Sequence, residues 1–319
     1  MKRQRLLHII RHPRRTCREH WEKEIRITNK WGKNPESEYY IIRCQLPGCG
    51  MFAIFMYVLD HLAYATDNGY IPVLDSERYK CLYKEKRPIN GTKDPWRYYF
   101  EPISDIQVKD CLKYKNIILG RVRAPRYKGI YYYSDNEKNV LPSKEQIEEL
   151  NGLVKRYIRF RPEFQRELDE KIKKLMNKRV LGVHVRGTDM YTAGMQHPIP
   201  TGETKDFSRL DSIIKEYNIE KVFLCTDTQS TIMLFQEHYG KKLITTDALR
   251  QKDDSGCGIH MDEKLGKNRL NNKYLIGKEI IIDMYMLAHC TVLVCGASKV
   301  AYAAMIFNHN KYEKIFYFV

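Results

Sequence analysis

The sequence predicts an α/β protein with largely parallel sheets in two domains. Two observations carry this. A strand, a loop, a helix and a second strand follow one another over residues 39–74, and strands alternate regularly with helices from residue 180 to residue 308. A third observation says where a ligand would sit. Three of the later strands stop abruptly in Arg186-Gly187-Thr188-Asp189, Thr226-Asp227 and Gly296-Ala297-Ser298. Parallel strands bring such ends to one edge of the sheet, where ligands of open α/β folds bind.

In chain order, residues 1–36 come first. Eleven Lys or Arg stand against three Glu within residues 1–33, which supplies half of the chain's net charge of +16. A short helix and a basic arm are expected here, either as a solvated face or as a surface that touches anionic membrane. Tyr39–Cys44 reads as a strand, and Gln45–Gly50 as a loop. A helix is expected from Met51 to Thr66, apolar around much of its circumference and therefore buried, with Asn68-Gly69 ending it. Ile71–Leu74 is the next strand. Gly48-Cys49-Gly50 opens onto the helix N-terminus, where free backbone N–H groups suit anions or polar ligands; the same pattern is also that of a tight turn. Residues 75–135, rich in Tyr, Lys and Pro, read as long loops with short helices. The aromatics of 94–102 suit either sugar stacking or loop packing. Ser143 with Gln146 forms a capping box, and Pro162 stands at the first turn of a second helix.

From there the alternation is regular. Strands are expected at 180–185, 221–225, 243–245 and 291–295, with helices at 206–217, 229–239, 276–288 and 298–308. The expected division is a basic arm at 1–36, an N-terminal domain at 37–142, bridging helices at 143–178 and a C-terminal domain at 179–319.

The 319 residues, 43% of them hydrophobic, suffice for two ordinary cores. No run of about 18 uncharged apolar residues exists, and the N-terminus has no apolar signal region, so a cytoplasmic protein is expected. Nine cysteines, an odd count without a C-x-x-C pair, suit a reducing compartment. The basic balance favours anionic partners, but no zinc-finger or RNA-recognition signature supports nucleic acid.

The strand ends offer specific chemistry. Arg186 has a guanidinium fork suited to phosphate. Ser298 stands at a helix N-terminus, where its N–H and hydroxyl can meet a phosphate oxygen. Asp227 and Asp283 can accept from sugar hydroxyls or from a guanine N1–H/N2–H edge, and His184 can bond a base or a phosphate. Together they suit a nucleoside diphosphate. No Walker A sequence and no Asp-x-Asp pair is present. Arginine and helix dipoles are therefore expected to neutralise the diphosphate, with no metal and no other cofactor.

His184-Val185-Arg186-Gly187-Thr188-Asp189 resembles the His-x-Arg motif of the GDP-fucose-dependent fucosyltransferase superfamily, which includes the α1,6-fucosyltransferases and the protein O-fucosyltransferases. Gly48-Cys49-Gly50, Phe223–Asp227, Asp283 and Cys295–Val300 resemble its other motifs in order and spacing. The resemblance implies a GT-B fold, with two Rossmann-like domains facing a cleft, and a metal-independent, inverting transfer of fucose from GDP-fucose to an oligosaccharide or glycoconjugate acceptor. By position, Arg186 would hold the diphosphate, and His184 and Asp283 would recognise guanine and ribose. Asp227, Ala297 and Ser298 would line the donor site, with Gly48 and Gly50 contributing from the first domain and Thr188 and Asp189 completing the loop. Two departures stand out. Gly187 occupies the place of a second Arg in the α1,6 enzymes, and Ala193-Gly194-Met195 lacks the Glu they carry after the motif. Glu203, His197 and Glu101 are the remaining candidates for the base. Use of another nucleotide sugar such as GDP-mannose, or binding without catalysis, are the alternative functions.

Overall fold

The computed structural model describes residues 24–33, 38–120, 141–175, 177–186, 206–251, 259, 262 and 264–318. These fall into two compact units. The first comprises residues up to 132 together with 153–161, and the second comprises 133–152 and 162–319.

The first unit contains β1 (Glu24–Thr28), β2 (Tyr39–Arg43), α1 (Met51–Asp67), β3 (Ile71–Asp75), α2 (Val108–Cys111) and β4 (Asn116–Gly120). Its sheet runs β1-β4-β2-β3, with β2 parallel to both β3 and β4 and β1 antiparallel to β4. The expected helix at the start of the chain is replaced, over its described part, by strand β1. Ile25 and Ile27 alternate there with Glu24 and Arg26, a period of two that suits a half-buried edge strand. Strand β4 lies within the stretch read as loops.

Helix α1 is buried along nearly its whole length. Two of its interior polar side chains are bonded to β2. Tyr57 donates to the Arg43 carbonyl at 2.7 Å, and the Tyr40 hydroxyl lies 2.7 Å from His61 Nδ1. The aromatics of 94–102 serve packing. Trp96 is 5% exposed and Tyr99 0%. Trp96 stacks on Phe55 and lies against Phe100, which in turn stacks on Phe160.

The second unit is more regular. Helix α3 (Lys144–Tyr157) begins in it and carries the expected capping box: Gln146 N–H donates to Ser143 Oγ at 3.2 Å, and Ser143 N–H donates to Gln146 Oε1 at 2.8 Å. Helix α4 (Pro162–Ile172) starts on its proline. There follow β5 (Val180–Val185), α5 (Ser208–Glu216), β6 (Lys221–Thr226), α6 (Gln229–Tyr239), β7 (Leu243–Ile244), α7 (Asn272–Leu287), β8 (Val292–Gly296), α8 (Lys299–Asn308) and β9 (Lys314–Phe318). All five strands are parallel, in the order β7-β6-β5-β8-β9. Strand β9 extends the alternation one element past the expected end. Both units are therefore α/β with mainly parallel sheets, as the sequence predicts.

Strand β5 is central and fully buried. Its core partners include Val222 and Leu224 of β6, Val292 and Val294 of β8, and Phe235 of α6. Gly182 permits a close approach on one face. A Cβ there would meet the Cys290 side chain at 3.0 Å and Leu287 Cδ2 at 3.2 Å. Gly182→Ala is expected to destabilise the fold by about 1–3 kcal/mol, because the extra methyl must displace a packed core. Urea titration followed by circular dichroism measures it, and an unchanged midpoint would contradict this packing account.

Candidate nucleotide-binding site

The site is built on the carboxyl edge of the second sheet. Register pairs Val185 with Thr226, so β5 and β6 end level, and β8 runs beside β5 from Leu181–Val292 to Val183–Val294. Arg186 follows β5 directly and is partly buried. Asp227 follows β6, and Ala297 and Ser298 follow β8. Three separated stretches thus reach one edge.

Ser298 has two roles there. Its Oγ accepts from Ala301 N–H at 3.0 Å, which makes it the N-cap of α8. The same Oγ lies 3.4 Å from His184 Nδ1. Both residues are buried, so the hydroxyl ties the end of β8 to the side chain one residue inside β5. The start of α8 adds the partial positive charge of a helix N-terminus at this edge.

Asp283 lies on α7 and is buried. Both of its carboxylate oxygens accept hydrogen bonds. Thr246 Oγ1 donates to Oδ1 at 2.5 Å, and Arg250 Nη2 donates to Oδ2 at 3.0 Å and to Thr246 Oγ1 at 2.9 Å. Burial pushes the Asp283 carboxyl up from the usual range, and the Arg250 guanidinium and the Thr246 hydroxyl pull against that shift. Burial likewise raises the neighbouring Cys225 thiol well above its ordinary value, with the Asp283 charge adding to it. The loop carrying Thr246 and Arg250 is pinned to the end of β6. Gln251 N–H donates to the Asp227 carbonyl at 2.9 Å, and Gln229 N–H to the Gln251 carbonyl at 2.8 Å. Neither Thr246 nor Arg250 is evident from sequence, since a polar loop after a two-residue strand has no signature.

Of the residues expected at the site, His184, Arg186, Asp227, Asp283, Ala297 and Ser298 belong to the second unit. Gly48 and Gly50 belong to the first, where Gly50 is the extended residue before α1 and Met51 N–H is taken by the Tyr83 hydroxyl at 2.8 Å. Thr188, Asp189, His197 and Glu203 lie outside the described residues, as does Gly187. Glu101 lines a cavity of about 670 Å³ within the first unit, together with Asp75, Asp94, Trp96 and Arg97. Among the described residues no group of three or more His, Cys, Asp or Glu is placed to hold a metal ion, and no helix is long and apolar enough to cross a membrane.

A model of the α-(1,6)-fucosyltransferase N- and catalytic domains matches residues 146–317. The chain belongs to this family. It is thereby a glycosyltransferase of the GDP-fucose-dependent fucosyltransferase superfamily. The matched stretch contains β5, β6, β7, β8 and all but the last residue of β9, and all six of the site residues that the second unit supplies. No curated protein sequence matches the chain. Among solved structures it is similar to the NodZ α-1,6-fucosyltransferase co-crystallised with GDP, at 17% identity over 84% of this chain and 91% of that one, with a TM-score of 0.46. It is also similar to POFUT1 in complex with GDP-fucose, at 12% identity over 90% and 99%, with a TM-score of 0.47.

In this fucosyltransferase the Ser298 cap is open to a direct check. Ser298→Ala removes the acceptor for Ala301 N–H, and the expected loss is about 1 kcal/mol of stability, read as a lowered thermal midpoint. Ser298→Asn, which can also cap, should restore most of it. Equal midpoints for all three proteins would rule out a capping role.

Proposed function

We propose that the protein transfers fucose from GDP-fucose to a hydroxyl of a glycan acceptor, with inversion at the anomeric carbon and without a metal ion. The observation that carries this reading is the convergence of Arg186, Asp227 and Ser298 on one sheet edge, inside the stretch that matches the fucosyltransferase family. In this reading Arg186 takes the diphosphate. Its planar fork pairs with two phosphate oxygens at once. The N-terminus of α8 adds oriented N–H groups, so charge that develops on the departing GDP meets positive potential already in place. His184 and Asp227 contact the nucleoside and sugar, and Thr188 and Asp189 complete the loop below. Inversion needs one in-line attack by the acceptor oxygen on the face opposite GDP. The proton of that hydroxyl goes to a carboxylate, for which Glu203 is the proposed acceptor. An α1,6 linkage is proposed from the family match alone, and the acceptor is an oligosaccharide or glycoconjugate.

Two measurements test the reading. Arg186→Ala is expected to lower fucose transfer by at least about a hundredfold, the scale of removing one preorganised charge-stabilising donor. Its thermal midpoint should stay near that of the unaltered protein. Near-normal turnover by this variant would sink the assignment. GDP release from a panel of nucleotide sugars, run in EDTA against an oligosaccharide array, should be greatest with GDP-fucose and insensitive to the chelator. Preferential use of GDP-mannose, or loss of turnover in EDTA, would overturn the donor or the metal-free step respectively.

A further inference from the structure

The cavity of the first unit lies at the carboxyl end of β3. Its wall is formed by Val73 to Asp75, by the turn at Asp94, Trp96 and Arg97, by residues 101–109, and by Leu112 and Arg159. All of these belong to the first unit. At about 670 Å³ it has the size of a small-molecule site, for which ~300–1,000 Å³ is usual. Two donors in its wall are unused. Trp96 is 5% exposed, and its Nε1–H is buried with no hydrogen-bond partner among the described residues. Arg97 Nε is buried in the same state. A buried donor without an acceptor forfeits its hydration, so two on adjacent residues of one cavity wall call for an acceptor inside it. The faces of the Trp96 ring are already committed, since it stacks on Phe55 and lies 4.5 Å from Phe100 between centroids. What the indole can offer the cavity is therefore its N–H edge, and not a stacking platform.

The rest of the wall says what kind of acceptor fits. Asp75 is paired with Arg78. Asp94 accepts from Ser76 Oγ at 2.5 Å and from the Trp96 backbone N–H at 3.0 Å. Glu77, Glu101 and Asp105 are balanced by Arg97, Lys109 and Arg159. A wall so nearly neutral gives an ion little net attraction, while entry would still strip the ion of water. The same wall holds carboxylates that only accept and N–H groups that only donate. A hydroxyl does both, so a ligand with several hydroxyls can satisfy the two kinds together. Ile103, Ile106 and Leu112 add apolar surface for C–H groups. We infer that this cavity is a binding site for a neutral saccharide, with Trp96 Nε1–H and Arg97 Nε–H as its buried donors. The inference stands on the first unit alone and does not rest on the donor reading of the second.

Ligand-observed NMR titration of the full chain tests it, with maltose, cellobiose, lactose and chitobiose as probes. Sialyllactose serves as the anionic counterpart of lactose, and glutamine as a zwitterion. At least one neutral disaccharide should bind, and lactose should bind better than sialyllactose. Trp96→Phe keeps the ring packing and removes the N–H. It should weaken the bound disaccharide by about threefold to tenfold, the scale of one hydrogen bond. The thermal midpoint without ligand should hold or rise, because the lost donor had no partner in the fold. Should that variant fail to fold, Arg97→Lys keeps the charge, removes Nε–H, and should weaken binding to a similar extent. Saccharide binding that neither substitution changes would place the sugar elsewhere and overturn the inference. So would binding of none of the neutral probes, or tighter binding of sialyllactose or glutamine. A lowered midpoint with unchanged saccharide affinity would assign both side chains to the core, with the same consequence. Failure of the protein to bind GDP removes the donor reading and leaves this inference standing.

Discussion

The parallel alignment of β6, β5 and β8 is the constraint on which the site depends. Each of these strands is apolar and ends where its polar residues begin, and register forces the ends to coincide. Strand β5 must be buried on both faces for this to work, which is why it is almost wholly Val and Leu with one glycine. His184 is the exception inside it. Its proximity to Ser298 Oγ shows how a polar side chain is accommodated within a central strand, beside a cap that α8 requires anyway. Packing and chemistry therefore share residues: the hydroxyl that starts a helix also faces the only histidine of the strand.

Much of this was legible in the sequence, because period and punctuation agree. Residues 39–74 and 180–308 combine apolar runs of strand length with helices whose ends carry Ser or Asn-Gly, and the described parts of both stretches fold as read. The misses have physical causes. Strand β1 sits in a basic stretch, and its two isoleucines are too few to outweigh the charge around them. It gains its order from pairing with β4, about ninety residues away, which no local pattern reveals. The aromatics of 94–102 could serve either surface or core by composition, and only the contacts of Trp96, Phe100 and Phe160 decide for the core. At the site, the three strand ends were visible as abrupt changes from apolar to polar. The partners of Asp283 were not, since Thr246 and Arg250 lie 37 and 33 residues from it, on a loop without a motif.

That distinction bears on how the carboxylate should be understood. An aspartate on an apolar helix is expensive wherever it lies, and a sequence alone suggests that the cost is met by a ligand. Here the protein meets it internally: the Thr246 hydroxyl and the Arg250 guanidinium satisfy one oxygen each. The pair then has the character of a buried salt bridge, which contributes little net stability over an apolar substitute while being damaging to break. Such a pair is hard to explain by stability alone. Its geometry is nonetheless fixed, because the side-chain entropy of both partners is given up together with that of the loop and the helix that carry them. The ordering has been done during folding, by a loop pinned to β6 through Gln251 and a helix packed against β5. The residue that looks most like a ligand contact in sequence is held by two partners that no local pattern reveals.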